Sequence, residues 1–154
     1  MKKLNEQATK IFCQLLKKLG NNSYIKINNE GYMPLTIECI EEQINTPWGF
    51  AKLYSVSHSY VQNGDLMRDP EMVFIVCDNR AHEKDFDNIL IYTQMFQQDN
   101  LGLYEESVRI ENNHIKTFIK TWQHGHCSFA NTWLRNIKQQ GFLKQEGINI
   151  TRKN

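Results

Sequence analysis

The sequence predicts an α+β fold, with a single antiparallel β-sheet of about five to six strands flanked by an N-terminal and a C-terminal helix. Three observations lead to this fold class. Apolar residues recur at helical spacing over residues 4–19 and again over residues 128–141. Between these segments lie short runs of alternating or continuous apolar residues, which are typical of strands. Turn residues separate the runs, so consecutive strands are expected to pair in antiparallel order.

The first helix is predicted over residues 4–19. Its apolar positions are spaced by three or four residues and therefore share one face. They are Leu4, Ala8, Ile11, Phe12, Leu15, Leu16 and Leu19. Gly20, followed by two asparagines, is a typical helix end. We therefore expect an amphipathic helix that covers the core with its apolar face.

The centre of the chain contains six strand-like runs. They span residues 32–40, 48–61, 72–77, 89–96, 107–110 and 115–122. The run 72–77 is almost wholly apolar, which indicates a central strand that is buried on both faces. The polar stretch Asp78–Asn88 is predicted to be a long hairpin loop, and Asn112-Asn113 a tight turn.

The second helix is predicted to begin after Ser128, which is a suitable N-cap, and to end at Gly141. Both helices are expected to pack on one face of the sheet. Residues 1–141 are then a single α+β domain. Residues 142–154 form a C-terminal tail with few apolar anchors, and we expect it to fray.

Composition excludes several classes of protein. A chain of 154 residues with 40% hydrophobic and 11% aromatic residues can bury one core and is not disordered. No apolar run reaches the roughly 18 residues of a membrane span. The first residues, which include several lysines, lack the apolar stretch of a secretory signal, so a cytoplasmic protein is expected.

The net charge of +1 results from the cancellation of strongly charged segments. Residues 1–20 carry +4 and residues 112–154 carry +6, whereas residues 61–111 carry −7, from four basic and eleven acidic groups. The balance disfavours a general polyanion binder. The acidic middle suits a basic protein partner, while the two basic helices leave nucleic-acid binding open as an alternative.

The densest polar cluster is the stretch from His58 to Glu71. Asn63-Gly64 between two strand-like runs predicts a two-residue type I′ hairpin turn. In that register Tyr60 faces Met67, Ser59 faces Arg68 and His58 faces Asp69. Pro70 has no backbone N–H to donate, so a bulge or a sheet edge is expected there.

The predicted His58–Asp69 pair has two interpretations. It could orient the hairpin through a structural hydrogen bond. Alternatively, His58 could act with the nearby carboxylates of Asp65, Asp69, Glu71 and Asp99 in a metal-dependent hydrolase or nuclease. No established metal-ligand spacing accompanies the pair, so no metal ligand is assigned.

A second polar cluster spans residues 97–102. Its Asp99-Asn100-Leu101-Gly102 sequence is typical of a turn, since Asp and Asn bond to their own backbone and Gly adopts positive φ. The same loop could present Gln98, Asp99 and Asn100 to a partner.

A third cluster, His124-Gly125-His126-Cys127, is predicted to be a loop that enters the second helix. The four cysteines include no pair at zinc-knuckle spacing, and reduced, mostly buried thiols are expected. A catalytic thiol at Cys127 stays open, because a neighbouring imidazolium can lower a thiol pKa.

Three segments together resemble a family of small uncharacterised proteins from bacterial plasmids, conjugative elements and phages. They are residues 54–74, with the pattern H-x-Y-x-Q-N-G-D-x-M-R-D-P-E-M; residues 98–107, with Q-D-N-x-G; and residues 129–137, with F-A-N-x-W-L. The loop 78–88 is longer than in that pattern. The family has no assigned activity, so the resemblance implies only a mobile-element setting, in which small proteins often counter host defence.

These observations favour a small non-enzymatic accessory protein of a phage or other mobile element. It would bind and inhibit a host defence protein or nucleoprotein, in the manner of an anti-restriction or anti-CRISPR inhibitor, without a cofactor. The expected contact surface consists of polar residues of the hairpin and of the 97–102 loop. They are Tyr60, Asn63, Asp65, Arg68, Asp69, Gln98, Asp99 and Asn100.

Overall fold

A computed structural model describes residues 1–154 and contains two α-helices and nine strands. The helices are α1 (Glu6–Leu19) and α2 (Lys120–Gln139). The strands are β1 (Tyr24–Ile27), β2 (Leu35–Thr46), β3 (Gly49–Gln62), β4 (Asp65–Asp78), β5 (Ile89–Gln98), β6 (Leu103–Glu106), β7 (Val108–Glu111), β8 (His114–Phe118) and β9 (Ile150–Lys153). The predicted α+β class, with two helices and one open antiparallel sheet, is confirmed.

Seven strands form the main sheet in the order β6-β5-β4-β3-β2-β1-β9, and all neighbours along it are antiparallel. The β7–β8 hairpin joins it at a single parallel bridge between Asn45 and His114. The predicted count of five to six strands is wrong. The strands absent from the prediction, β1, β6 and β9, have four residues each, which is too short for a period-two pattern to stand out.

Residues 142–154 contribute one fully buried side chain to the core and one edge strand to the sheet. Phe142 is fully buried, and its ring lies 5.3 Å from the imidazole of His58 and 6.0 Å from the ring of Tyr32. Strand β9 then pairs with β1 from Ile150 to Lys153. Its residues are mostly polar, because the strand is held by backbone hydrogen bonds at the sheet edge rather than by an apolar face.

Helix α2 begins at Lys120, eight residues before the predicted cap at Ser128. The predicted strand 115–122 therefore ends at Phe118, and the predicted entry loop 124–127 lies inside the helix. The buried face starts with Gln123 and His126, which are polar and hide the apolar repeat. Gln123 is fully buried, and its side-chain amide remains hydrogen-bonded there. It accepts from the backbone N–H of Lys2 and donates to the backbone carbonyl oxygen of Lys2.

Both helices pack on one face of the sheet, as expected. The main core contains the apolar faces of α1 and α2 and one set of alternating strand residues. Phe12 of α1 lies at its centre, with its ring edge-to-face against Phe74 at 4.9 Å and against Tyr54 at 6.2 Å. Neither helix combines the length and the hydrophobicity that a membrane span requires.

The opposite face of the sheet is covered at one end only. There, Val108 of the β7–β8 hairpin packs with Ala51, Ile75 and Tyr92 in a second, smaller core. The indole of Trp48 stacks on Tyr92, with ring centroids 4.7 Å apart. The rest of this face, from Ser55 toward the tip of the β3–β4 hairpin, has no layer above it, and we call it the open face.

Candidate functional site

The β3–β4 hairpin closes as the sequence predicts. Asn63 and Gly64 both have positive φ, 53° and 83°, as a type I′ turn requires. The predicted pairs from Gln62–Asp65 back to Ser59–Arg68 are all present. The tip of the hairpin is therefore fixed by its turn residues.

The register shifts between Ser57 and Ser59, next to Pro70, where a bulge was expected. Because Ser57 pairs with Glu71, His58 does not stand opposite Asp69, and the predicted His58–Asp69 pair is wrong. His58 points into the core, where its Nδ1 donates to the carbonyl oxygen of Met33 at 3.2 Å. Burial lowers the pKa of His58, so the imidazole is neutral near pH 7.

The carboxylates of the proposed metal site do not converge either. Asp69 accepts a hydrogen bond from Gln98, and Glu71 accepts one from Ser55. No group of three or more His, Cys, Asp or Glu side chains in the chain could hold a metal ion. The hydrolase hypothesis required His58 and several carboxylates at one site. In the structure His58 is in the core and the carboxylates do not meet.

The free edge of the hairpin is covered by the loop after β5. Strand β5 pairs with β4 only from Glu71 to Asp78, which leaves residues 65–70 without a neighbour on that side. Asp99 compensates, since its Oδ2 accepts from the backbone N–H of Arg68 at 2.8 Å and its Oδ1 accepts from Gln97 at 3.0 Å. The Gln98 amide donates to Asp69 at 2.8 Å. The two predicted clusters are therefore one unit.

We call this unit the hairpin corner, defined as residues 60–69 and 97–104. Four of the predicted contact residues, namely Arg68, Asp69, Gln98 and Asp99, form its internal network. The loop itself is a 3-10 turn over Asp99–Leu101 that ends at Gly102 with φ of 60°, which confirms the predicted turn. The network joins the loop to β4 through the backbone N–H of Arg68 and the carboxylate of Asp69, whereas the Arg68 guanidinium lies outside it, 4.0 Å from Glu71.

The other four predicted residues are not brought together. Asn63 lies at the tip of the turn, Asp65 is exposed at the start of β4, and Asn100 is exposed in the 3-10 turn after β5. Tyr60 is half-buried and pairs with Met67 across the hairpin. They surround the network at its rim instead of forming a common pocket.

The corner also exposes apolar side chains that the sequence prediction did not include. Val61 and Leu66 form a cross-strand pair and are 71% and 58% exposed. Leu101 and Tyr104 are 66% and 59% exposed. Apolar residues at alternating positions of a strand are normally assigned to the core. Here the turn at Asn63-Gly64 is two residues from both Val61 and Leu66, so this pair lies near the hairpin tip, beyond the layer of helices.

A trough with hydroxyl groups on its floor runs from the corner along the open face. Ser55, Ser57 and Ser59 point to this face from β3, and the first two are buried although nothing covers them. They are small, and long side chains stand on both sides, so the floor lies below its walls. The spacing of the three serines, i, i+2 and i+4, is the sequence signal that could have identified this face.

The trough has a volume of about 290 Å³, and two hydrogen bonds connect side chains of its lining. The Ser55 hydroxyl donates to Glu71 at 2.6 Å, and the hydroxyls of Thr36 and Ser57 lie 2.7 Å apart. Leu66 and Arg68 of the hairpin corner form part of one wall. The trough can therefore accept polar groups of a molecule that is docked on the corner.

Cys127 is not an activated thiol. It is fully buried in the core and donates to the backbone carbonyl oxygen of Lys3 at 3.2 Å. Burial raises its pKa, so the thiolate is disfavoured. His126 points elsewhere, with its Nε2 2.9 Å from a carboxylate oxygen of Glu105. All four cysteines are free thiols and three of them are buried, which confirms the expected state.

The basic helices offer fewer free cations than their composition suggests. Lys10 forms an ion pair with Glu6, and Lys17 forms one with Glu83. Lys18 donates to the backbone carbonyl oxygen of Gln145. Nucleic-acid binding through these helices stays a prediction.

A family model described as "Domain of unknown function (DUF6908)" matches residues 10–143. No curated protein and no solved structure matches the chain. The matched range covers most of the chain and contains the whole hairpin corner, the serine trough and strands β1 to β8.

Proposed function

We propose that this chain, which belongs to the DUF6908 family, is a small non-enzymatic binding protein whose hairpin corner docks on a basic protein surface. One observation carries the proposal. The corner is held rigid by the bonds of Asp99 and Gln98 to β4, and it nevertheless exposes Val61, Leu66 and other apolar side chains.

A rigid apolar protrusion with a polar rim is typical of the centre of a protein interface. Such side chains contribute most of the binding energy when a partner excludes water from them. Little conformational entropy is lost on binding, because the corner is already ordered. Val61 and Leu66 are exposed side by side as a cross-strand pair, and a contiguous apolar surface is more typical of an interaction site than a single exposed side chain.

Charge favours a basic partner. The corner itself carries three acidic residues, Asp65, Asp69 and Asp99, against one basic residue, Arg68, which gives it a net charge of −2. Asp65 is exposed at the hairpin tip, and Glu106 is exposed on β6 beside Tyr104. Complementary charge of this kind steers association and disfavours polyanions at the same surface.

The biological setting proposed here is that of a phage or other mobile element. The partner would be a cytoplasmic host defence protein or nucleoprotein, inhibited by occlusion in an anti-restriction or anti-CRISPR manner. The motifs of residues 54–74, 98–107 and 129–137 support this setting through their resemblance to mobile-element proteins. Simple occlusion also agrees with a surface that binds without presenting an activated nucleophile or base.

The test is capture of a partner from lysate of a bacterial host by the immobilised chain. We expect the wild type to retain a basic protein, and the double variant Leu66→Glu, Leu101→Glu to retain at least tenfold less of it. Two buried carboxylates at the centre of an interface would each cost about 2 kcal/mol or more. Nuclease treatment before capture separates a protein partner from a nucleoprotein.

Ile148→Glu is the matched control, because Ile148 is 98% exposed and lies outside the corner. It should capture as much partner as the wild type. Equal capture by the double variant and the control would overturn the proposal.

A further inference from the structure

The main sheet ends in two strands that each have a neighbour on one side only, β6 at one edge and β9 at the other. The unpaired edge of a strand presents backbone N–H and C=O groups, to which an extended segment of another chain can add as a further strand. Outside its ladder with β5, no backbone group of residues 103–106 makes a hydrogen bond within the chain. The outer edge of β6 is therefore free.

The free backbone groups of this edge belong to Tyr104 and Glu106. The backbone N–H of Ser107 bonds to the carbonyl oxygen of Gln94, which stands opposite it in the continued register of β5 and β6. In an antiparallel ladder, such hydrogen-bonded pairs alternate with pairs whose N–H and C=O groups point away from the neighbouring strand. Counting back from Ser107, Tyr104 and Glu106 point these groups outward, and the other two residues of β6 bond to β5.

The helix side of this edge is apolar. Glu105 points to that side, because its carboxylate lies 2.9 Å from Nε2 of His126 on α2, and Leu103 shares the side since strand side chains alternate. Trp122 and Phe129 lie four residues before and three residues after His126, and therefore on the same flank of α2. Leu103, Trp122 and Phe129 are 36%, 39% and 42% exposed. A strand added to β6 would cover these three residues with its own side chains.

The other side of the edge suits a cation. Tyr104 and Glu106 point to the open face, and both are exposed. The hydroxyl of Tyr104 lies 3.5 Å from a carboxylate oxygen of Glu106. Glu105 is paired with His126, whereas the carboxylate of Glu106 takes part in no ion pair. An aromatic ring beside a free carboxylate attracts a lysine or arginine side chain.

The opposite edge of the sheet does not offer such a site. Strand β9 carries Arg152 and Lys153, which are both exposed, and its only half-buried residue is Ile150. Charged side chains of this kind protect an edge strand from pairing, and their sign would repel a basic segment. The two edges thus differ in charge, and only β6 is acidic and has apolar neighbours on a helix.

We propose, on the basis of the function proposed above, that an extended segment of the basic partner adds to the free edge of β6 as a further strand. Its apolar side chains would lie on the helix side against Leu103, Trp122 and Phe129. Its lysine or arginine side chains, at the alternate positions, would lie on the open face beside Tyr104 and Glu106. The hairpin corner ends within the same strand, so the partner that docks on the corner reaches this edge directly.

The test uses a synthetic peptide of eight residues that alternates valine and lysine. One comparison peptide has the same composition with the valines and lysines in two separate blocks, and the other alternates valine and glutamate. We expect the alternating basic peptide to bind the full chain about tenfold or more tightly than either comparison peptide in NMR titrations. Its binding should also slow hydrogen exchange at the amides of Tyr104 and Glu106.

Tyr104→Pro removes one outward N–H and leaves the β5 ladder intact, because proline is tolerated at an edge position whose N–H faces solvent. Tyr104→Ala is the matched control, since it removes the same side chain and keeps the N–H. We expect the proline variant to bind the alternating basic peptide about fivefold more weakly than the alanine variant does, as the loss of one hydrogen bond requires.

Equal affinity for the three peptides, or equal binding by the proline and alanine variants, would overturn the addition of a strand to β6. The corner proposal would stand in that case, because capture with the Leu66→Glu, Leu101→Glu variant tests it separately. Selective peptide binding, combined with full capture by that double variant, would overturn docking on the corner and support the edge of β6 as the binding site.

Discussion

Replacing Phe12 by alanine should lower the free energy of unfolding by about 3–5 kcal/mol. The ring is fully buried and lies between α1 and the sheet, edge-to-face with Phe74 and Tyr54. Its removal leaves a cavity in rigid surroundings that cannot collapse, because the strands on the other side are fixed by their hydrogen bonds. A domain of this size is stabilised by only about 5–15 kcal/mol, so the variant should be close to unfolding at 37 °C.

Urea unfolding checks this prediction. The midpoint should fall markedly while the m-value stays constant, since the same surface is exposed on unfolding. Phe50→Ala is the matched control, because Phe50 is 71% exposed, and its change should be below about 0.5 kcal/mol. A loss of less than about 1 kcal/mol for Phe12→Ala would mean that α1 does not pack on the sheet in this way.

Asp99→Ala should release the hairpin corner without unfolding the domain. The carboxylate of Asp99 accepts from the backbone N–H of Arg68 and from the side chain of Gln97, at a point where β4 has no strand neighbour and where the adjacent Gln98–Asp69 bond does not involve the Arg68 amide. A hydrogen bond to a charged group contributes about 1.5–3 kcal/mol. The amide of Arg68 should therefore exchange with solvent about 10- to 100-fold faster in the variant.

Asn100→Ala serves as the control for this experiment. Asn100 is the next residue in the chain, it is exposed, and its removal leaves the contacts of Asp99 in place. Exchange at Arg68 should be unchanged in this variant. If Asp99→Ala also left it unchanged, the loop after β5 would not be what holds the hairpin.

Local sequence signals predicted those parts of the fold that depend on local chemistry. The Asn63-Gly64 turn sets the hairpin register, and Gly20 ends α1. The start of α2 was predicted too late, because its first buried residues, Gln123 and His126, are polar and are held by contacts with Lys2 and Glu105. Such partners are distant in the chain and leave no periodic pattern.

The candidate site shows the same limit. The sequence brought Arg68, Asp69, Gln98 and Asp99 into one set of residues, and the structure joins them in one network. It did not show that the Asp99 and Asp69 carboxylates accept hydrogen bonds from within the corner. It also did not show that apolar neighbours such as Leu66 are exposed beside them. The bulge expected at Pro70 adds one residue to β4, so Asp69 is not paired with His58, and His58 follows Tyr54 and Val56 into the core.

The most direct test of the binding role is a hydrogen-exchange footprint of the chain in complex with the captured protein. We predict that added protection on binding is confined to the hairpin corner, residues 60–69 and 97–104, to Glu106 at the end of β6, and to the adjacent serine trough at residues 55–59. The outer faces of α1 and α2 should exchange as in the free chain. Protection that falls on the helices and leaves the corner unchanged would contradict the account.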